Sequence, residues 1–478
     1  MISIVSVSRS IQEGNKRIAS HRGLFVSLIL ILAWIPIPIG SNRTWSMAIF
    51  EVGAVSIFGI WALRYAYRPF IIPSTVKELR LALTILCVWL CFPLIQLIPA
   101  PTWLGQVISG APQGLYSQLP GLPVSGALYL SLDRSATLAG FLLQCALVAV
   151  FFGVVSMADS RKRLRALLVL FFVVGCAESL YGLIVYFGGG QIGLWDPGHD
   201  AGTVSGTYVN QNHFGGLMEM TIPAGMGLLL IGRTSQETGR GLRSALRSIV
   251  STLMGQQGIV LFGLLVMFAA LILSTSRGAV GSLAVGVIVA VSIAIMRKGA
   301  RARELRVGLI AAVLMVFAML WLGTGQLSSK LEFSGLASNR GDLREMSYRM
   351  IADSPVVGTG VGTYRWIFPR YKDQRFGSGF YEHAHNDYLE ILGEQGIVGF
   401  SLLAIAFTMI AAKIVKAYRR HNEPLVRGAL FAAIAGCTAL LVHGFVDFNF
   451  QIPANAAYFS ALLGVGAVAA GIGRDSNP

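Results

Sequence analysis

Residues 381–400, YEHAHNDYLEILGEQGIVGF, set His383 and His385 two positions apart and follow them with Asn386, Asp387, Glu390 and Glu394. An imidazole titrates near neutrality and can take a proton from a hydroxyl. A neighbouring carboxylate can orient the ring, and Asp387 and Glu390 are the candidates inside the segment. Two histidines near carboxylates are also zinc-ligand types. However, H-x-H alone is incomplete, and no second His or Cys cluster accompanies it, so no metal is expected. The structural alternative is a helix cap, with Asn386 or Asp387 capping and Glu390 in the first turn.

Three other stretches carry comparable chemistry. In LSTSRGAVGS, Arg277 interrupts almost forty otherwise apolar residues. An ionisable group at or near membrane depth points to function, and a guanidinium fork suits phosphate oxygens. In GTYVNQNHFGGLMEM (206–220), Asn210, Asn212 and His213 open an apolar run, and Glu219 lies two turns into it, where it needs a partner or a water-filled cavity. In SNRGDLREMSYRMIADSP (338–355), Arg340 and Arg344 share a helix face that Tyr348 continues. Met346, Met350 and Ile351 face the protein, Ser338 or Asn339 caps, and Pro355 stops the helix. The following GTGVGTYRWIFPRY (358–371) has the spacing of a dinucleotide fingerprint but no preceding strand, so a tightly turning or flexible loop is expected. Its aromatics, Tyr364 among them, are either interfacial anchors or a wall for stacking sugars.

The elements that must position these groups are membrane helices. The chain is 54% hydrophobic and 13% charged, about half the charge of an ordinary soluble domain. That excludes a single soluble core. The net charge of +15 reads as basic inner loops rather than nucleic-acid binding. Apolar runs predict about twelve spans, near 24–41, 46–63, 81–99, 136–157, 166–187, 213–232, 257–275, 279–296, 307–323, 397–415, 428–446 and 456–473. With both termini in the cytoplasm, 27 of the 38 Lys and Arg fall on the inner side, and eight of the 11 on the outer side lie in one long loop. All four polar stretches then fall on the outer side. The outer loops are 100–135, with room for a short interfacial helix, the Gly-rich 188–212, and the long 324–396 between spans nine and ten. The five cysteines lie in apolar runs, so no disulfide framework is expected. No cleavable signal peptide is evident. Three regions follow: 1–204, 205–415 with the outer loop 324–396, and 416–478.

The outer-face set of Arg277, Arg340, Arg344, His213 and His385 suits an anionic, lipid-linked substrate. A pyrophosphate leaving group needs cations where charge develops. No P-loop is present and no soluble cofactor is required.

Four segments carry a family resemblance. YVNQNHFGGLMEM is similar to an Asn-rich start of a middle span, and STSRGAVGS to a Ser-Arg-Gly turn. NRGDLREMSYRMIADSPVVGTGVGTY is similar to an Arg-led helix ending in D-x-P and G-x-G-x-G-x-Y. HNDYLEILGEQGIVGF is similar to a His-Asn, Leu, Glu-x-Gly signature. Over roughly residues 205–400 the chain resembles the O-antigen ligase and O-antigen polymerase superfamily of the bacterial cell envelope. That resemblance implies an all-α polytopic fold related to metal-independent, lipid-donor glycosyltransferases. It implies a multi-pass protein of the inner membrane with a periplasmic site. The glycan passes from undecaprenyl pyrophosphate to a lipid A core or a growing glycan, with inversion at the anomeric carbon. Arg277 and Arg340 match the arginines that hold the pyrophosphate, and His385 the histidine that activates the acceptor hydroxyl. Glu394 matches a recurrent structural acid, and His383 has no counterpart. Arg344, Asn386, His213, Asn212 and Tyr364 are the further substrate-binding candidates. The alternatives are a transporter or permease of the same superfamily, or a protein O-oligosaccharyltransferase. A transporter predicts inverted repeats, and none is visible in the sequence.

Overall fold

The computed structural model describes residues 21–67, 69–70, 72–101, 128–190, 194, 202–231, 254–296, 334–373 and 380–472. The main helices are α1 (Arg22–Trp34), α2 (Thr44–Tyr67), α3 (Arg80–Gln96), α4 (Arg134–Met157), α5 (Arg161–Phe187) and α6 (Gln211–Ile231). They continue with α7 (Gln256–Leu273), α8 (Arg277–Ile295), α9 (Ser334–Asp353), α10 (Asp387–Tyr418), α11 (Pro424–His443) and α12 (Pro453–Ile472). Among the described residues, nine helices are long and apolar enough to cross a membrane, and α1 and α3 are shorter apolar helices. These eleven correspond to eleven of the twelve expected spans. The twelfth, 307–323, lies outside the described residues, as does most of the expected outer loop 100–135.

Two expected boundaries move. The span expected over 24–41 ends as a helix at Trp34. Pro36 and Pro38 follow, and proline lacks the amide that would continue the ladder. The chain then turns through Ile39, Gly40 and Ser41, all left-handed. The amphipathic helix expected from Ser338 or Asn339 starts earlier, at Ser334, and stops at Asp353 before Pro355.

The centre of the bundle is α6, α11 and α12, with 83, 83 and 89% of their apolar windows buried. Small residues permit this, since side chains as apolar as lipid tails gain little by burial alone and close backbone approach supplies the packing. A Cβ on Gly227 of α6 would run into the carbonyl of Gly428 of α11, so the two backbones touch there. α10 is peripheral, with 22% of its apolar window buried.

Within the long hydrophilic stretch, the described residues 334–373 and 380–396 form a folded cap over this bundle. Leu343, Met346 and Met350 of α9 pack with Tyr364, Ile367, Phe368 and Ala384 in a small core of their own. The G-x-G-x-G loop is a tight turn, with Gly358, Gly360 and Gly362 at φ 71°, 111° and 74°. It docks into a break in α10. Gly396 has φ 61° and ψ −171°, so the helix is interrupted between residues 395 and 397. The amides of Ile397 and Val398 donate to the carbonyls of Pro355 and Val356 at 2.8 and 3.2 Å. The carbonyls of Gly393 and Glu394 accept from Thr359 and Gly360 at 3.0 and 2.9 Å. Glu394 then accepts the amide of Tyr364 at 3.0 Å. Gln96 of α3 donates to the carbonyls of Val357 and Glu394, at 2.7 and 2.9 Å. The apparent nucleotide fingerprint is thus a backbone plug that satisfies a broken helix. The span expected over 397–415 starts immediately after the break.

Gly396 occupies backbone space that only glycine enters readily, and a Cβ there would also meet the Val356 carbonyl. Gly396→Ala is expected to cost at least about 1–3 kcal/mol, read as a lower unfolding temperature of the purified protein in detergent. Gly341→Ala, with nothing near its Cβ position, is the control. It should be neutral or slightly stabilising.

Candidate functional site

The site is assembled on the turn between α11 and α12, residues 444–452, which sequence reasoning passed over. Its centre is Asp447, 1% exposed. A buried carboxylate needs donors or cations. Asp447 Oδ1 accepts the Phe448 amide at 2.9 Å, and Oδ2 accepts Asn212 Nδ2 at 2.8 Å. His385 Nδ1 lies 3.6 Å from Oδ1 and His213 Nε2 lies 4.0 Å from it. Both separations are within charge-pairing range and longer than a formed hydrogen bond.

Asn212 extends the network to the arginine helix. Its Oδ1 accepts the hydroxyl of Ser276 at 2.8 Å, and Ser276 Oγ caps α8 by accepting the Ala279 amide at 3.4 Å. Arg277 is the first residue of α8, and its side chain is exposed. The chemistry-bearing starts of α6, α8 and α10 therefore meet at one end of the bundle. Two non-glycine residues there are left-handed, Thr275 at φ 56° and His385 at φ 48°. For a β-branched threonine this is a strained state that the surroundings must impose.

The start of α10 is stitched to the same turn. Asn386 caps the helix by accepting the amides of Tyr388 and Leu389 at 3.1 and 3.0 Å. Its Nδ2 donates to the Phe445 carbonyl at 3.0 Å, which also accepts Arg344 Nη2 at 3.4 Å. The Asp387 amide donates to the Gly444 carbonyl at 2.9 Å. The Asp387 carboxylate accepts the Phe450 amide at 3.3 Å, and Tyr388 Oη donates to the Leu441 carbonyl at 2.6 Å. Three imidazoles surround Phe448: His383 stacked at 4.4 Å, His213 edge-on at 4.6 Å and His385 edge-on at 4.8 Å.

The two histidines of the H-x-H pair belong to different carboxylates. His383 Nδ1 is 2.8 Å from Glu390 Oε1, and Glu390 Oε2 accepts the Ala384 amide at 2.9 Å. Neither carboxylate expected to orient His385 does so. Glu390 is held by His383 and Ala384, Asp387 by the 450 amide, and the acid facing His385 is Asp447 from another helix end. Among the described residues, no group of three or more His, Cys, Asp or Glu is arranged to hold a metal ion.

Charge follows from these contacts. Burial alone would push the Asp447 carboxyl up, but the His385 contact and the nearby His213 and His443 outweigh it, holding Asp447 below the usual carboxylate range. Burial would lower His383. Glu390, with Glu394 and Glu382 behind it, reverses this and raises it.

The structure thus brings together Asn212, His213, Arg344, His385 and Asn386, with Arg277 one residue from the network. Arg340 lies one turn before Arg344 in α9, and its side chain is outside the described residues. Tyr364 sits elsewhere. It is 1% exposed, stacks on Phe368 at 5.1 Å and shares a 2.9 Å hydrogen bond with Ser347 Oγ, so it fills the cap core. Asp447, Ser276 and Phe448 were missed. The available signal was a polar island, DFNFQ, directly after an apolar run.

The His383 contact predicts a pH dependence. Its folded pKa is raised, so its stabilisation is fully present below the unfolded value of about 6.5 and is lost as pH rises through the folded value. His383→Phe keeps a ring on Phe448 but cannot titrate. The thermal-stability advantage of wild type over His383→Phe should be largest near pH 6 and shrink toward pH 9. A gap that does not change with pH would refute this.

Residues 262–404 match the family model for O-antigen ligase. No curated protein matches the chain. The family match supports placing this chain in the O-antigen ligase and polymerase superfamily, and its bounds take in Arg277, Arg340 and His385 while leaving Asn212, His213 and Asp447 outside.

Proposed function

We propose that the protein transfers a glycan from undecaprenyl pyrophosphate to an acceptor hydroxyl, at the periplasmic face of the inner membrane. The O-antigen ligase match supports glycan transfer of that general kind. The observation that carries the finer reading is the His385–Asp447 pair, held in register with the Arg277 end of α8 through Asn212 and Ser276.

With Asp447 facing Nδ1, the imidazole holds its proton on that nitrogen and keeps Nε2 as the base. The acceptor oxygen attacks the anomeric carbon while its proton passes to Nε2. The bond from that carbon to the pyrophosphate oxygen breaks, and the electron pair leaves on the pyrophosphate. Arg277 and Arg340 neutralise the charge that develops there. The 3.6 Å apo separation between His385 and Asp447 is one that substrate binding would shorten. Arg344 and Asn386 share the Phe445 carbonyl and so hold α9 against the site. The acceptor is a lipid A core for a ligase and a growing glycan for a polymerase.

His385→Ala, Arg277→Ala and Arg340→Ala are each expected to lower surface glycan about 10²-fold or more, with lipid-linked donor accumulating and protein abundance unchanged. The reading fails if His385→Ala or Arg277→Ala strains with normal protein levels make normal glycan. Asp447→Asn is expected to behave like a milder His385→Ala, because the amide cannot stabilise the imidazolium that forms. Gel banding separates the two acceptors: single repeats on the acceptor mark a polymerase defect, and long chains left on the lipid carrier mark a ligase defect.

A further inference from the structure

Glu219 of α6 and His443, the last residue of α11, are 0% and 1% exposed and sit inside the bundle directly below the site. His443 Nδ1 lies 2.8 Å from Glu219 Oε1. This is the partner that Glu219 requires, and it comes from a helix far away in sequence. The pair is a hub. The Nε2 edge of the His443 ring lies against the first turn of α8, where a Cβ on Gly278 would sit only 2.7 Å from Nε2. The His443 carbonyl accepts the amides of Val446 and Asp447, at 2.9 and 3.1 Å. One residue therefore touches the turn bearing Asp447, the turn bearing Arg277 and, through Glu219, the central helix α6.

Packing does not explain the choice of residues. Buried ion pairs are often replaced by apolar side chains of similar volume with no loss of stability, or with a gain. Ionisable residues at membrane depth are rare and tend to mark function. The neighbouring polar residues are otherwise engaged: Asp447 with Asn212 and His385, His213 against Phe448, and Asn455 with Asn449 and the His213 carbonyl.

We propose that Glu219 and His443 are positioning residues of the transfer site, a buried carboxyl–imidazole pair that fixes the start of α8, with Arg277, relative to the turn that carries Asp447. The inference rests on the glycan-transfer reading above. The pair touches neither donor nor acceptor. It acts by a close polar contact that an apolar pair of the same bulk does not reproduce.

The test exploits that difference. Glu219→Leu and His443→Phe are combined in the full-length protein and compared with Glu219→Gln. In cells, surface glycan and lipid-linked donor are followed on gels alongside protein abundance, and the purified protein is melted in detergent. The expected result is a double variant as abundant and as thermally stable as wild type, with surface glycan at least tenfold lower and donor accumulating. A double variant that is stable and within twofold of wild-type glycan overturns the proposal, because the pair would then be packing alone. If the double variant does not accumulate, Glu219→Gln decides by the same thresholds. Arg277→Ala and His385→Ala run in parallel. If they are active, the glycan-transfer reading itself has failed. If they are inactive while the pair variants are active, only this inference has.

Discussion

A carboxylate with almost no exposure, at the mouth of a membrane bundle, has to be compensated by whatever can reach it. Asp447 is compensated by the starts of two helices and by its own turn. Asn212 brings α6 and, through Ser276, the capped start of α8. His385 brings the start of α10. Because burying an unpaired charge is costly, this one anion ties together elements separated by well over a hundred residues. Thr275 and His385, both left-handed, flank this network. Each lies beside a residue whose side chain the network or its caps already hold, and the strain is supported by the contacts around it.

A second constraint acts where the cap meets the bundle. α10 cannot run unbroken from the site to its far end, because Gly396 turns it. The broken ladder is completed by the glycine loop that follows α9. The loop's three left-handed glycines let main-chain groups, rather than side chains, fill the gap. Gln96 of α3 closes the same junction from the other side. Cap and bundle thereby become one unit, and α9 is held where Arg344 reaches the Asp447 turn. The small core of Met346, Met350, Tyr364 and Phe368 gives this cap its own apolar support.

The division of labour among titratable groups follows from where each carboxylate can reach. Glu390 lies one helical turn past the cap and bends back to His383 and the Ala384 amide. Asp387 is consumed by the main chain of the neighbouring turn. Neither is paired with His385. Asp447, on a different helix end, is the acid that faces it. The histidines therefore differ in role although they are two residues apart: one clamps the approach to α10 and the other faces the open end of the bundle.

Much of this architecture was legible beforehand. Twenty apolar residues in a chain with few charges must form a helix in lipid, since an open backbone cannot be satisfied there. The basic loops bias the direction of threading. Local chemistry also marked Arg277, Arg344, His385 and Asn386, because charged and capping groups beside apolar runs stand out. Local chemistry could not identify Asp447, the partner of Glu219, or the purpose of the glycine loop. Each depends on a contact across helices that no periodicity encodes. The spans and the polar stretches between them are legible in the sequence, and the preference for His385 over His383 came from the family resemblance. Which carboxylate faces His385, and how the arginine helix is fixed beside it, were decided only by tertiary packing, because pairing a buried charge depends on proximity in space and not on spacing along the chain.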